Sequence, residues 1–545
     1  MVSFALSAAL LLSTTAVAAQ QTVFQGDSQW TMFKHPIRRV AVIGGGPAGL
    51  QAAVNLLAEN FTVRLFERAP SPGGNWFYSE DTPVRETYPN VTSPTIPSAP
   101  TNLPQTRYYE EGEDGIKLEF RWREHWSPRP VWYDLHANTP STATELPGVK
   151  YPAGTPLRVS MHDIQRHVRA YASMHGLNVN DRPISPNAVP VASYSTRVES
   201  IRKSDEMSTS TWVLTLRRLE WLRESSRIKE DFWTEEFDAV VTAAGAYSTP
   251  TVPSIPGIGN WSMATDPESG RYNMHHSQAF RHPEHYAGKN VLIVGAAVSA
   301  TEIARTIAPV TDRLFASVRL NPRRDAYGLD IMFSFPNKTE IVREISSFEP
   351  LGDVDQGIKK GVIRLVDGSS LTGIDEIILA TGYRRNTFLP DLVDSKAMND
   401  VYWTGHYIHD PTFAYATARA WIEGRYQTTA FARVWAGKAR LPSREKMLSD
   451  YYEGKFHCFN PLDLLSMEVQ RRHFIAWLNS EALEFGGKFV EPMPVEDREI
   501  LAYFVNAWWK ANMISHENYT RFDGTPYGEW PTCPPESQGM VFADW

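Results

Sequence analysis

The chain alternates short apolar runs with stretches of helical periodicity, a pattern that predicts buried strands flanked by helices. Arg38-Arg39-Val40-Ala41-Val42-Ile43 predicts a buried parallel strand. Pro47 to Ala58, with proline early and Ala and Leu dominating, predicts the helix that follows it. Thr62 to Phe66 predicts the next strand. The same order recurs later, with strands expected at Asn290 to Val294 and Leu314 to Val318, and a further buried run at Ile377 to Leu379. Between the two units, residues from about 70 to 160 are rich in Pro, Thr and Tyr and predict loops with little regular structure. Met161 to His175 predicts a helix, and Trp212 to Arg218 and Phe237 to Val241 predict strands. The Pro-rich stretch Pro250 to Gly257 predicts a crossing between domains.

Both strand-to-helix junctions carry small residues. The first is Gly44-Gly45-Gly46-Pro47-Ala48-Gly49. A turn of this type brings backbone N–H groups at a helix N-terminus against a pyrophosphate. Glu67 lies 23 positions after Gly44, close to the roughly 20 expected for the acid that binds a ribose hydroxyl. The second junction is Gly295-Ala296-Ala297-Val298-Ser299-Ala300, in which Ala297 and Ala300 stand where the first has glycines. No acid occupies its ribose position. Ser317 lies 22 positions after Gly295, followed by Arg319 and then Arg323-Arg324. A hydroxyl and a guanidinium suit a 2′-phosphate, which favours NADPH over NADH. Ala380-Thr381-Gly382 lets the backbone pass close to a cofactor, and Ala243-Ala244-Gly245 is its counterpart at the other crossover. Two dinucleotides in one chain point to an electron relay.

At 545 residues the chain holds more than one domain. Net charge is −8 with no long basic run, which excludes nucleic acid as a partner. The aromatic load of 17 Trp, 22 Tyr and 25 Phe is enough to line a pocket for a flat ligand as well as fill cores. Cys458 and Cys533 are the only cysteines, and no Cys-x-x-Cys exists. A dithiol redox centre and a zinc ribbon therefore drop out, and no metal site is expected. Phe4 to Leu12 is apolar and leads to Ala16-Val17-Ala18, so residues 1–19 read as a secretory signal cleaved after Ala18 or Ala19. An uncleaved anchor is the alternative, and no other segment is long enough to span a bilayer. Sequons at Asn60, Asn90, Asn260, Asn337 and Asn518 are then glycosylation sites on the secretory route. In that compartment the two cysteines could pair.

Taken together, these motifs resemble the flavin-containing monooxygenases, the class B flavoprotein oxygenases. The match runs through Gly44-x-Gly46-x-x-Gly49, Glu67, Gly73-Gly74-Asn75-Trp76 and Tyr133-x-Leu135-x-x-Asn138. It continues through Gly245, Gly295 to Ala300, Ala380-Thr381-Gly382-Tyr383 and Gln427, covering roughly residues 36 to 440. The resemblance implies that Gly44, Gly46, Pro47, Ala48, Gly49 and Glu67 hold the ADP half of FAD. It implies that Gly74, Asn75 and Trp76 lie along the flavin, with Gln427 approaching the ring from a helix start. Val198 offers backbone contacts to adenine, and Gly245 and Gly382 mark the close crossings. Gly295, Ala297, Val298, Ser299, Ala300, Ser317 and Arg319 would hold NADPH. Asn138 matches the family's active-site Asn, beside the reactive edge of the flavin and the nicotinamide.

The family's fingerprint is kept only in part. His276 to Phe280 preserves its His-x-x-x-aromatic half, while Gly270 stands six positions before His276. Phe280 is followed by Arg281, so the Trp-Pro of the Baeyer–Villiger version is absent. That favours oxygenation of a heteroatom. The expected fold is α/β, with two dinucleotide-binding Rossmann-like domains and the NADPH domain inserted in a discontinuous FAD domain. The expected boundaries are 36–257 for the first part of the FAD domain, 258–372 for the NADPH domain, 373–440 for the second FAD part, and 441–545 for a C-terminal helical extension. The expected chemistry is reduction of FAD by NADPH, capture of O2 as a C4a-hydroperoxide, and oxygen transfer to an amine N or S of a small molecule or small peptide in specialised metabolism. A Baeyer–Villiger-type oxygenase, an FAD-only oxidase and a non-catalytic nucleotide-binding protein are the alternatives. A homodimer is left open.

Overall fold

In the computed structural model, residues 29–92, 96–179, 190–204, 211–245, 247–319, 335–384, 393–394, 397–398, 400–416, 421–453 and 464–504 are described. The leader at 1–19, Arg323, Arg324, Cys458, Cys533 and Asn518 lie outside them.

Two five-stranded parallel sheets organise the chain. The first runs in the order Phe413–Tyr415, Ala239–Thr242, Arg39–Ile43, Thr62–Phe66, Ala192–Ser193. Its central strands are apolar on both faces because both are covered. Helix Pro47–Ala58 buries Leu50, Ala52, Ala53 and Leu56 on one side. Helix Met161–Met174, capped by Ser160 accepting from Asp163 N, closes over the same core. The second sheet runs Met274–His276, Glu376–Leu379, Asn290–Val294, Arg313–Ser317, Thr339–Val342. Helix Val298–Ile307 packs on it through Ile303, Ala304 and Ile307.

The boundary expected at 373 moves. Strand Glu376–Leu379 pairs with Asn290–Val294 inside the second sheet, and the chain returns to the first sheet only at Phe413–Tyr415. The two crossings lie side by side: Thr249–Pro250 pairs antiparallel with Tyr383–Arg384, and Thr251 N donates to Gly382 O at 2.8 Å.

A four-stranded antiparallel sheet covers the outer face of the first sheet. Its order is Gln105–Tyr109, Arg227–Phe237, Trp212–Leu222, Thr196–Lys203. The single strand expected at 237–241 is the junction of two strands. The Asp238 carboxylate between them accepts Arg38 N and Arg39 N, each at 2.8 Å. The region expected to be loops, 70–160, contains strand Gln105–Tyr109, helix Leu118–Trp126 and the strand pair His136–Pro140 with Arg158–Ser160. Helix Leu118–Trp126 has no apolar stripe to reveal it, because its buried face includes Arg121 and His125. Arg121 pairs with Asp114, seven residues earlier, and His125 Nε2 meets Ser195 O at 2.9 Å, seventy residues away.

Beyond residue 440 the chain forms helices Arg444–Tyr452, Leu464–Phe485 and Val495–Phe504. Ile475, Leu478 and Met493 bury against Tyr426, Ala430 and Ala143. Among the described residues no helix is long and apolar enough to cross a membrane.

Candidate active site

The first turn is shaped by contacts that only glycine permits. Gly44 has φ +108, and a Cβ there would lie 2.5 Å from Ala243 O. Gly74, at φ +57, presses on Gly46 so closely that its Cβ would lie 2.6 Å from Gly46 Cα. Gly49 faces inward, where a Cβ would lie 1.8 Å from Gly44 O. It sets the helix against the strand and does not line the cavity. The N-cap, Gly46, has no side chain to satisfy the helix's first N–H groups, which leaves donors for an anion.

Glu67 closes this turn. Its Oε2 accepts Gly45 N at 2.7 Å, and its Oε1 accepts Ala69 N at 2.8 Å and the Arg129 guanidinium at 2.7 Å. A carboxylate offers about four acceptor positions, so one remains toward the cavity for a ribose hydroxyl. Arg129 was not expected; it is 7% exposed, lines the cavity, and nothing in its local sequence marks it.

The second turn repeats the first. Gly295 has φ +123, and a Cβ there would lie 2.4 Å from Ala380 O. Ala243 and Ala380 thus play the same part in the two units. Ala297 N-caps helix Val298–Ile307 and is exposed at the cavity, so its methyl group is accommodated. Ala300 is fully buried among Ile303 and Ile307, and stands behind the cavity wall.

Both turns open on one cavity of about 920 Å³. From the first unit Gly44, Gly46, Pro47, Ala48, Glu67, Gly74, Asn75, Trp76 and Gly245 line it, and from the second Gly295, Ala297, Val298, Ser299, Ser317, Arg319 and Gly382. Asn138 also lines it, half-buried on strand His136–Pro140 where the pairing with Arg158–Ser160 is irregular. Leu135, from the motif around Asn138, also lines it, and Trp132, His136, Glu302, Glu344 and Trp421 join without having been expected. Trp76 and Trp421 meet edge to face, with centroids 6.3 Å apart. Apart from the high aromatic load, no local signal pointed to the five unexpected residues.

Four of the expected residues stand outside the lining: Gly49 and Ala300, placed above, and Val198 and Gln427. Val198 is buried in the core with Phe66, Phe237 and Leu216 and does not line the cavity. Gln427 is also outside the lining; it sits six residues past Trp421 in helix Trp421–Trp435, and Trp421 itself reaches the cavity. No acid ends strand Arg313–Ser317, as the spacing implied. Glu344 arrives from a different strand end, with its Oε1 3.0 Å from Arg319 Nε.

The fingerprint segment is structural. His276 Nδ1 accepts Gln278 N at 3.2 Å, so the ring proton belongs on Nε2, which meets Gly382 O at 3.1 Å. Burial lowers its pKa to about 4 and keeps it neutral. Arg281 donates to the backbone carbonyls of Ser79 (2.9 Å) and Asp81 (2.7 Å), strapping that loop to the second unit.

Two dinucleotide turns lining one cavity define an oxidoreductase that brings two nucleotide cofactors together. The glycine cradles and the open acceptor of Glu67 fit such cofactors. Comparison with known proteins narrows the class. Residues 42–109 match the model of an NAD(P)-binding Rossmann-like domain, and residues 189–332 that of the flavin-binding monooxygenase-like family. The flavin-containing monooxygenase iboF of Amanita muscaria is 32% identical over 510 residues, covering 84% of this chain and 91% of that protein. The flavin-containing monooxygenase ustF2 of Aspergillus flavus is 28% identical over 458 residues, covering 76% and 85%. In fold, the chain is similar to S-allyl-L-cysteine S-oxygenase from Allium sativum, with a TM-score of 0.56 and 19% identity over 86% of this chain and 92% of that one. The chain belongs to the flavin-containing monooxygenase family. It is an enzyme whose cofactors are FAD and NADPH.

Proposed function

We propose that the protein oxygenates a soft nucleophile, an amine nitrogen or a sulfur, on a small molecule or small peptide of specialised metabolism. The observation that carries this reading is the single cavity shared by both turns, with Asn138 on its wall and tryptophans around it. FAD and NADPH, when bound, supply the reducing equivalents and the activation of O2. The chain's own groups bind, orient and shield. The free N–H groups after Gly46 and Ala297 hold the pyrophosphates, and Glu67 holds a ribose. Trp76, Trp132 and Trp421 keep water from the reacting edge. The Asn138 amide is the hydrogen-bond donor and acceptor closest in kind to what a nicotinamide or an activated oxygen needs there. A neutral amine or thioether brings its own lone pair, so no general base has to be assigned.

The test uses purified protein. It should be yellow, its NADPH consumption should rise with an amine or thioether, and the product should carry added oxygen. Asn138→Ala should keep FAD and lose turnover. Flavin that NADPH cannot bleach sinks this reading.

We also propose that the chain enters the secretory route. Supporting this, the sequon residues Asn60, Asn90, Asn260 and Asn337 are all exposed, Asn60 and Asn90 in left-handed turns at φ +64 and +62. Treatment of protein from a eukaryotic host with an endoglycosidase should lower its apparent mass; an unchanged mass refutes the address.

A further inference from the structure

We infer that Glu344 sets the choice between NADPH and NADH, tempering the attraction of Arg319 for a 2′-phosphate and providing an acceptor for an unphosphorylated ribose. This rests on the reading that the second turn holds the adenosine end of the coenzyme.

The geometry is built by long-range pairing. Strand Arg313–Ser317 lies parallel to Thr339–Val342, with Ser317 opposite Val342. Val318 N donates to Val342 O at 3.0 Å, and the Ser317 hydroxyl donates to Arg343 O, also at 3.0 Å. These two bonds pin the peptide carrying Glu344 to the end of the ribose strand. Glu344 then reaches into the cavity and takes Arg319 Nε at 3.0 Å. The contact is made through Nε, and the guanidinium carries two further amino groups besides.

The chemistry of the pair is two-sided. A guanidinium presenting two amino groups suits a phosphate dianion. A carboxylate at the same place accepts the 2′-hydroxyl of an unphosphorylated ribose, the function an acid performs at the end of the second strand in NAD sites. The same carboxylate repels a 2′-phosphate. Side-chain exposures of 59% for Arg319 and 41% for Glu344 mean that salt weakens both effects without abolishing them. Sequence spacing conceals this acid because it follows a different strand from the one that conventionally carries it.

The experiment is equilibrium binding of NADP+ and NAD+ to the FAD-loaded protein, read by calorimetry and independent of turnover. Glu344→Gln keeps the side chain's size at an exposed position and removes its charge. Coulomb repulsion between a carboxylate and a phosphate dianion a few ångströms apart in near-water dielectric corresponds to about tenfold in affinity. E344Q should therefore tighten NADP+ by about tenfold at low salt and less at high salt, and should weaken NAD+. Arg319→Gln should weaken NADP+ and spare NAD+. An NADP+/NAD+ ratio in E344Q within about twofold of the unmodified protein overturns the proposal. An unmodified protein that binds neither coenzyme overturns the reading of the second turn itself, which is a different result.

Discussion

Removing Arg129 should lower stability while leaving the first turn's cofactor acceptor in place, and removing Glu67 should lower stability and take the acceptor away. Arg129→Met deletes the guanidinium that meets Glu67 at 2.7 Å, where the two side chains are 7% and 3% exposed. Breaking a buried pair from one side costs about 3–5 kcal/mol, because the remaining charge is left buried. Glu67 keeps the N–H groups of Gly45 and Ala69, so the lower end, about 3 kcal/mol, applies to R129M. Glu67→Gln strands Arg129 and turns an amide NH2 toward one of those backbone N–H groups, which adds an unsatisfied donor worth about 1–3 kcal/mol. The double variant removes both charges and should cost less than the sum of the two by about 2 kcal/mol. FAD affinity should divide differently. E67Q and the double variant lose a charged hydrogen bond to ribose, about 1.5–3 kcal/mol, or roughly 10- to 100-fold in Kd. R129M should stay within a few-fold. Urea midpoints of the apoprotein give the stabilities, and flavin fluorescence gives the affinities. Additive stability losses, or R129M weakening FAD as much as E67Q, would refute the reasoning.

The remaining predictions concern the turns and pH. Gly49→Ala places a methyl group 1.8 Å from Gly44 O, so the purified variant should contain no FAD; a yellow protein with normal flavin content counts against the packing role. Ala297→Val enlarges a side chain exposed at the second turn, so NADP+ binding should weaken while flavin content stays unchanged; calorimetry decides. Burial lowers the pKa values of His276 and His167 to about 4 and of His406 to about 3. Their folded values lie below the unfolded value of about 6.5, so the stability they confer is complete above that pH and is lost as pH falls toward 4 and then 3. Urea midpoints should be flat from pH 7 to 8 and fall on acidification; a midpoint that rises below pH 6 contradicts this.

Legibility in the sequence followed the range of the interactions. Helix Pro47–Ala58 is found with the bounds its composition predicts, and Met161–Met174 ends one residue short of the expected His175. In both, the apolar pattern and the end signals are local. Helix Leu118–Trp126 was invisible because Arg121 and His125 stand on its buried face and break the apolar stripe, His125 meeting Ser195 O seventy residues away. The junction at Asp238 was invisible because an ordinary apolar run continues on its far side. Strand Glu376–Leu379 was recognised as a strand but assigned to the wrong sheet, since nothing in its residues distinguishes one parallel neighbour from another.

The sequence by itself determined the two strand–turn–helix units and the acid of the first. A positive φ, the contact of Gly49 with Gly44 O and an uncapped helix start are properties of residues a few positions apart, so they are written in Gly44 to Gly49 and, for the φ and the helix start, in Gly295 to Ala300; the approaches of Gly44 to Ala243 and of Gly295 to Ala380 are not. Only the tertiary structure decided that both turns share one cavity, and that Arg129, Trp421 and Glu344 enter it. Those side chains arrive through strand order and helix packing across hundreds of residues. Spacing along the chain carries no record of which strand end lies beside which.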